Sequence, residues 1–64
     1  SGIFTEDFNY EISPDRKYYL YVISGKLIVN EIELIEGDGL SFIEENEIKI
    51  QPHEETEIIL FDLK

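Results

Sequence analysis

YYLYVISGKLIVNEIELIEGDGLSF, the stretch from Tyr18 to Phe42, decides the architecture of this chain. Short apolar runs rich in β-branched and aromatic residues are punctuated by Ser24-Gly25, Asn30-Glu31 and Gly37-Asp38-Gly39. Runs of four to six residues cut by Gly, Asn and Asp are the rhythm of short strands in an all-β barrel or sandwich. Tyr18 to Ile23 is unbroken and apolar, which suits a central strand covered on both faces. Gly25 ends it and predicts a bulge or a bend with positive φ. Asn30-Glu31 reads as a two-residue hairpin turn. Glu31 is less suited than Gly to the second position, so a turn looser than type I′ is expected. Glu36-Gly37-Asp38-Gly39 is the next turn.

Upstream, Ile3 to Ile12 alternates, with Phe8, Tyr10 and Ile12 on one side and Asn9 and Glu11 on the other. That reads as one half-buried strand. Ser13-Pro14-Asp15 is a turn, because Pro sets φ and Ser and Asp bond the local backbone. Downstream, Ile32 and Leu34 face one way and Glu33 the other. Leu40 to Ile43 is a strand, and Glu44-Glu45-Asn46 a polar turn. Glu47 to Gln51 has Ile48 and Ile50 inward and Lys49 outward, Pro52 to Thr56 is a loop, and Ile58 to Leu63 is a last strand. No helical stripe of useful length is present. The expectation is an antiparallel barrel or sandwich of about seven short strands.

Sixty-four residues make a single domain, 1–64, with a small core. There is no cysteine, hence neither a disulfide nor a thiolate. That fits a reducing, cytoplasmic setting. Four Phe and four Tyr supply large apolar areas instead. Ser1-Gly2 reads as a cloning remnant, and the chain as a piece of something longer. Fifteen acids against five Lys and Arg leave a net charge of −10, with −8 of it in residues 33–64. Such a field repels phosphate backbones and anionic lipid, so nucleic acid and membrane are not expected partners. A basic protein partner is allowed, although a solvated acidic face is the plainer reading.

The order of Gly25, Val29-Asn30 and Gly37-Asp38-Gly39, with the terminal EIILFDL of Glu57 to Leu63, resembles the C-terminal cupin domain of pirin-like bicupins. That family includes quercetin 2,3-dioxygenase-like members. The resemblance runs from about Phe8 to Leu63. It implies a cupin barrel beside an N-terminal cupin domain. It also implies where metal ligands stand in an active cupin: two His and a Glu in the first motif, one His in the second. Those positions fall near Ile12, Pro14, Tyr18 and Ile48. An aliphatic side chain cannot coordinate, and a neutral phenol is a poor donor. The resemblance therefore implies a side-chain-packed barrel with no catalytic residue, metal or cofactor of its own. Its partner would be an N-terminal cupin domain or a copy of itself.

His53, in Pro52-His53-Glu54-Glu55, is the only histidine. As a ligand for a minimal metal-dependent oxygenase it would need convergent partners, and Glu54 and Glu55 are merely adjacent. The acids of Glu36-Gly37-Asp38 and Glu44-Glu45 lack calcium-loop spacing. Gly37 and Gly39 are flanked by acids, which opposes a phosphate cradle. Ser13, Ser24 and Ser41 have no base within a recognisable motif. Two alternatives to a structural module remain: a free-standing acidic protein that self-associates or binds a basic partner, and the oxygenase built on His53. In the Tyr18–Ile23 run, side chains alternate, so one set must face outward. Either Tyr19, Tyr21 and Ile23 or Tyr18, Leu20 and Val22 form that outer set. Tyr suits an interface, with an apolar body and a polar tip, and Tyr19 and Tyr21 are the interface candidates.

Overall fold

The computed structural model describes residues 2–63. Ser1 lies outside the described residues. Gly2 is part of a strand and pairs with Ile58. In chain order the strands are β1 (Gly2–Phe4), β2 (Phe8–Glu11), β3 (Lys17–Ser24), β4 (Lys26–Val29), β5 (Ile32–Ile35), β6 (Gly39–Phe42), β7 (Glu47–Pro52) and β8 (Thr56–Leu63). They form two four-stranded sheets, ordered β1-β8-β3-β6 and β2-β7-β4-β5. Every pairing is antiparallel. No helix among the described residues is long and apolar enough to cross a membrane.

The count is eight rather than about seven, because the segment expected as one strand, Ile3 to Ile12, is two. β1 pairs with β8 in the first sheet, and β2 with β7 in the second. The chain changes sheets at Thr5-Glu6-Asp7, all three exposed. Phe4 and Phe8 meet inside that corner, with ring centroids 4.4 Å apart. Both residues have the same alternation parity. The change of sheet therefore leaves the two-residue period intact and invisible in the sequence.

β3 is flanked by β8 and β6. Its inward set is Tyr18, Leu20 and Val22, and its outward set Tyr19, Tyr21 and Ile23. The register shifts between Val22 and Ser24, and Gly25 follows at φ +97°. That is the expected bulge and bend. A Cβ at Gly25 would lie 2.5 Å from Thr56 Oγ1 and 2.7 Å from the backbone of Glu55 and Thr56. Buried Thr56 faces this point: its hydroxyl lies 2.8 Å from Glu54 O and 3.2 Å from Lys26 O.

The β4–β5 hairpin is tighter than expected. Val29 pairs with Ile32, and Asn30 and Glu31 both have positive φ, 46° and 71°. Positive φ at both central residues is the type I′ signature. Asn30 offsets the poor fit of Glu31 through tertiary bonds described below. The next turn carries Gly37 at φ +89° and leads from the second sheet to the first. Backbone bonds from Gly37 N to Val22 O and from Val22 N to Asp38 O, both 2.9 Å, fasten it to β3. The Asp38 carboxylate accepts the Ile35 N–H at 2.8 Å.

The core holds Ile12, Tyr18, Leu20, Val22, Leu27, Val29, Leu34, Phe42, Ile48, Ile50 and Ile58. Ile32 shares the facing of Leu34, yet it lies at the hairpin end and stays exposed while Leu34 is buried.

Candidate functional site

β1 is short. It covers only Thr56 to Ile58 of β8, and the two sheets stand open beside Leu60 and Asp62. The result is a cleft of about 420 Å³ between the sheets. Phe4, Phe8, Tyr10 and Tyr18 give it four aromatic walls, and Ile48, Ile50, Ile58 and Leu60 give aliphatic ones. Tyr10 pairs with Ile48 and Phe8 with Ile50, so the alternation that buries the two isoleucines turns both rings inward. Its volume lies within the range of small-ligand pockets.

Polar groups sit at the margin. The Tyr18 hydroxyl accepts the Ser13 N–H at 3.1 Å. Glu11 and Asp62 are the acids of the lining. Asp62 takes Arg16 Nε on both oxygens, at 2.9 and 3.2 Å. The Asp62 hydrogen bond, with its charge, raises the Arg16 pKa.

Of the residues near which the resemblance implies cupin ligands, Ile12, Tyr18 and Ile48 belong to the core and Pro14 does not. Tyr18 and Ile48 line the cleft, Ile12 is buried in the core without lining it, and Pro14 is exposed in a turn. The residues at these positions, two aliphatic side chains, a proline and a phenol engaged by a backbone N–H, are not ordinary metal donors. Among the described residues no three of His, Cys, Asp and Glu are grouped to hold one.

His53 is half-exposed, and its neighbour is not Glu54 or Glu55. Its Nε2 lies 3.5 Å from Glu33 of β5, and its N–H bonds Lys26 O at 2.9 Å. Twenty residues separate His53 from Glu33, so only the strand pairing joins them.

The outer face of the first sheet carries Tyr19 and Tyr21. The Tyr19 ring lies over Gly39 and has its centroid 6.3 Å from that of Phe61. Around it Ile3, Tyr21, Phe61 and Leu63 are exposed. The outer face of the second sheet differs: Asp7, Asn9, Glu31, Glu45, Glu47, Lys49 and Gln51 surround a polar depression there. The outer face of the first sheet is thus the more aromatic, and that of the second the more polar, although exposed Ile35 also lies on it.

The profile of the quercetinase C-terminal cupin domain matches residues 5–63. A Pasteurella multocida protein whose name provisionally makes it a quercetin 2,3-dioxygenase is 40% identical over 50 residues, covering 78% of this chain and 22% of that protein. The quercetin 2,3-dioxygenase of Escherichia coli K12 is 30% identical over 54 residues, covering 84% of this chain and 23% of the enzyme. Among solved structures, Escherichia coli YhhW superposes with a TM-score of 0.91 at 25% identity, over 97% of this chain and 27% of that one. Its nickel(II) complex, described as a bacterial pirin, gives 0.89 at 25% identity, over 95% and 28%. The chain therefore spans about a quarter of the length of the relatives it matches.

Proposed function

The chain belongs to the quercetinase C-terminal cupin domain family, and from that premise we propose that it is a non-catalytic, metal-free module. It acts in structure and interaction beside a metal-bearing cupin domain of a longer, cytoplasmic protein. What supports this reading is that the residues near which the resemblance implies cupin ligands, Ile12, Pro14, Tyr18 and Ile48, include no imidazole or carboxylate, and that Tyr18 and Ile48 line the cleft. A dioxygenase of the kind named among the relatives needs a metal or cofactor to engage oxygen. In this reading the metal belongs to the partner domain.

The apolar outer face with Tyr19, Tyr21 and Phe61 is the surface offered to that domain. Large exposed aromatics in a contiguous patch favour protein contact, and the opposite acidic face favours solvent. The same exposed patch also suits a second copy of the chain, the alternative reading. Nucleic acid and membrane remain disfavoured by the net charge of −10.

Equilibrium dialysis of the purified chain against nickel(II), iron(II), copper(II) and manganese(II) tests the first part. Binding no stronger than that of a generic acidic surface is expected. One tightly held ion per chain would overturn the reading. Light scattering with Tyr21→Lys and Phe61→Lys tests the second part. If the bare chain self-associates and neither variant reduces it, the outer face is not the contact.

A further inference from the structure

We propose that the cleft between the sheets is a binding site for a small organic ammonium ion, one with a quaternary or alkylated nitrogen and little other polarity. This stands independently of the metal-free structural role. Four of the eleven lining residues are aromatic, Phe4, Phe8, Tyr10 and Tyr18, contributed by three different strands of both sheets. Aromatic faces carry negative quadrupole density and attract alkylated cations, most strongly where water is partly excluded.

Charge points the same way. The lining contains Glu11 and Asp62 but no Lys, Arg or His. Arg16 answers Asp62 from outside the lining, so the cleft presents no cation of its own. The field of a chain at net −10 concentrates cations and excludes anions. The uncharged polar side-chain groups of the lining are the hydroxyls of Tyr10 and Tyr18, the latter already accepting the Ser13 N–H. A ligand rich in hydrogen-bonding groups would lose more water than two hydroxyls can replace. A methylated ammonium has few such groups and a diffuse charge, and the aromatic lining within an acidic chain matches both properties.

The experiment is a ¹H–¹⁵N NMR titration of the purified chain with choline, and in parallel with 3,3-dimethylbutan-1-ol, its uncharged isostere. It is run at near-physiological salt, so that exposed acids are screened. Saturable shifts confined to the cleft-lining residues are expected with choline. The alcohol should bind roughly fivefold or more weakly, since the charge contributes about 1 kcal/mol of cation–π attraction. Tyr10→Ala and Phe4→Leu should each weaken choline severalfold, because each removes an aromatic face, whereas Tyr10→Phe should retain it. Tyr10 is half-exposed, so its variants should fold; Phe4→Leu, at a partly buried position, carries the test alone should Tyr10→Ala fail to. Equal or tighter binding of the alcohol would overturn the proposal and leave a merely apolar cleft. So would non-saturating shifts scattered over the acidic face, or choline binding indifferent to every variant.

Discussion

The side chain of Asn30 bonds the backbone of Lys49 on the neighbouring strand: its Oδ1 accepts the Lys49 N–H at 2.7 Å. Its Nδ2 reaches Glu47 O at 3.2 Å, and its own N–H donates to Lys49 O at 3.0 Å. A hairpin turn between β4 and β5 is thereby sewn to β7. The contact does two things. It fixes Asn30 in the left-handed region, which asparagine tolerates better than most residues. It also carries Glu31, poorly suited to φ of 71°, into the same tight turn.

Asn30→Gly keeps the turn conformation and loses the side-chain bonds, so it should cost about 1–2 kcal/mol. Asn30→Ala also meets backbone strain and should cost about 1 kcal/mol more. Urea unfolding of both variants measures the difference. Equal stability of Asn30→Gly and the parent would mean that the bonds to β7 contribute nothing net.

Two glycines with similar φ should behave differently. At Gly25 a new Cβ meets Thr56 Oγ1 and the backbone of Glu55 and Thr56, which cannot step aside. At Gly37 nothing lies within 4 Å. Gly37→Ala should therefore cost only the left-handed penalty, about 1–2 kcal/mol, and Gly25→Ala clearly more. Thermal melts that rank them the other way would contradict the close approach of β8 to the bulge.

Facing within β3 can be read by stability. Leu20 is fully buried, and Leu20→Ala should cost about 3–5 kcal/mol. A domain of 64 residues has a total stability on the order of 3–10 kcal/mol, so this variant should be largely unfolded or close to it. Tyr21, next in sequence and 38% exposed, should tolerate Ala with a loss of about 1 kcal/mol or less. Circular dichroism melts of the pair decide which set is inward.

The Arg16–Asp62 pair should leave no mark on ordinary pH titrations. Its effect is to raise the Arg16 pKa, first through the hydrogen bond with Asp62 and then through its charge. A raised folded-state pKa gives stability that is fully present below the unfolded pKa. That stability is lost only as pH rises through the folded value. For a guanidinium both lie beyond the alkaline end of a usable titration. Arg16→Ala should differ from the parent by the same small amount throughout about pH 6 to pH 9. The difference should shrink with added salt, because the pair is exposed. A difference that grows across that pH range would point to another titrating group.

Much of the strand plan was legible without coordinates. β4 and β5 fall where the apolar runs around Asn30-Glu31 placed them, and Gly25 sits at a bulge as its break in the run implied. These features are local: turn chemistry and two-residue alternation act over a few residues and leave their record there. The absence of ligand-type residues at Ile12, Pro14, Tyr18 and Ile48 is equally a property of the sequence, because no fold can give an isoleucine a lone pair. So is the resemblance that led to the family.

Other features belong to the tertiary structure alone. The split of Ile3 to Ile12 into β1 and β2 hides behind an unbroken alternation, since Phe4 and Phe8 keep the same parity across the corner. Tyr18, Leu20 and Val22 face inward because of what lies across from β3. Both alternating sets are apolar, so the pattern alone favours neither. The His53–Glu33 neighbourhood, the bonds of Asn30 to Lys49 and the aromatic cleft each join residues far apart in the chain. Such contacts are set by strand order and register, and a linear pattern constrains those only where one face is clearly polar.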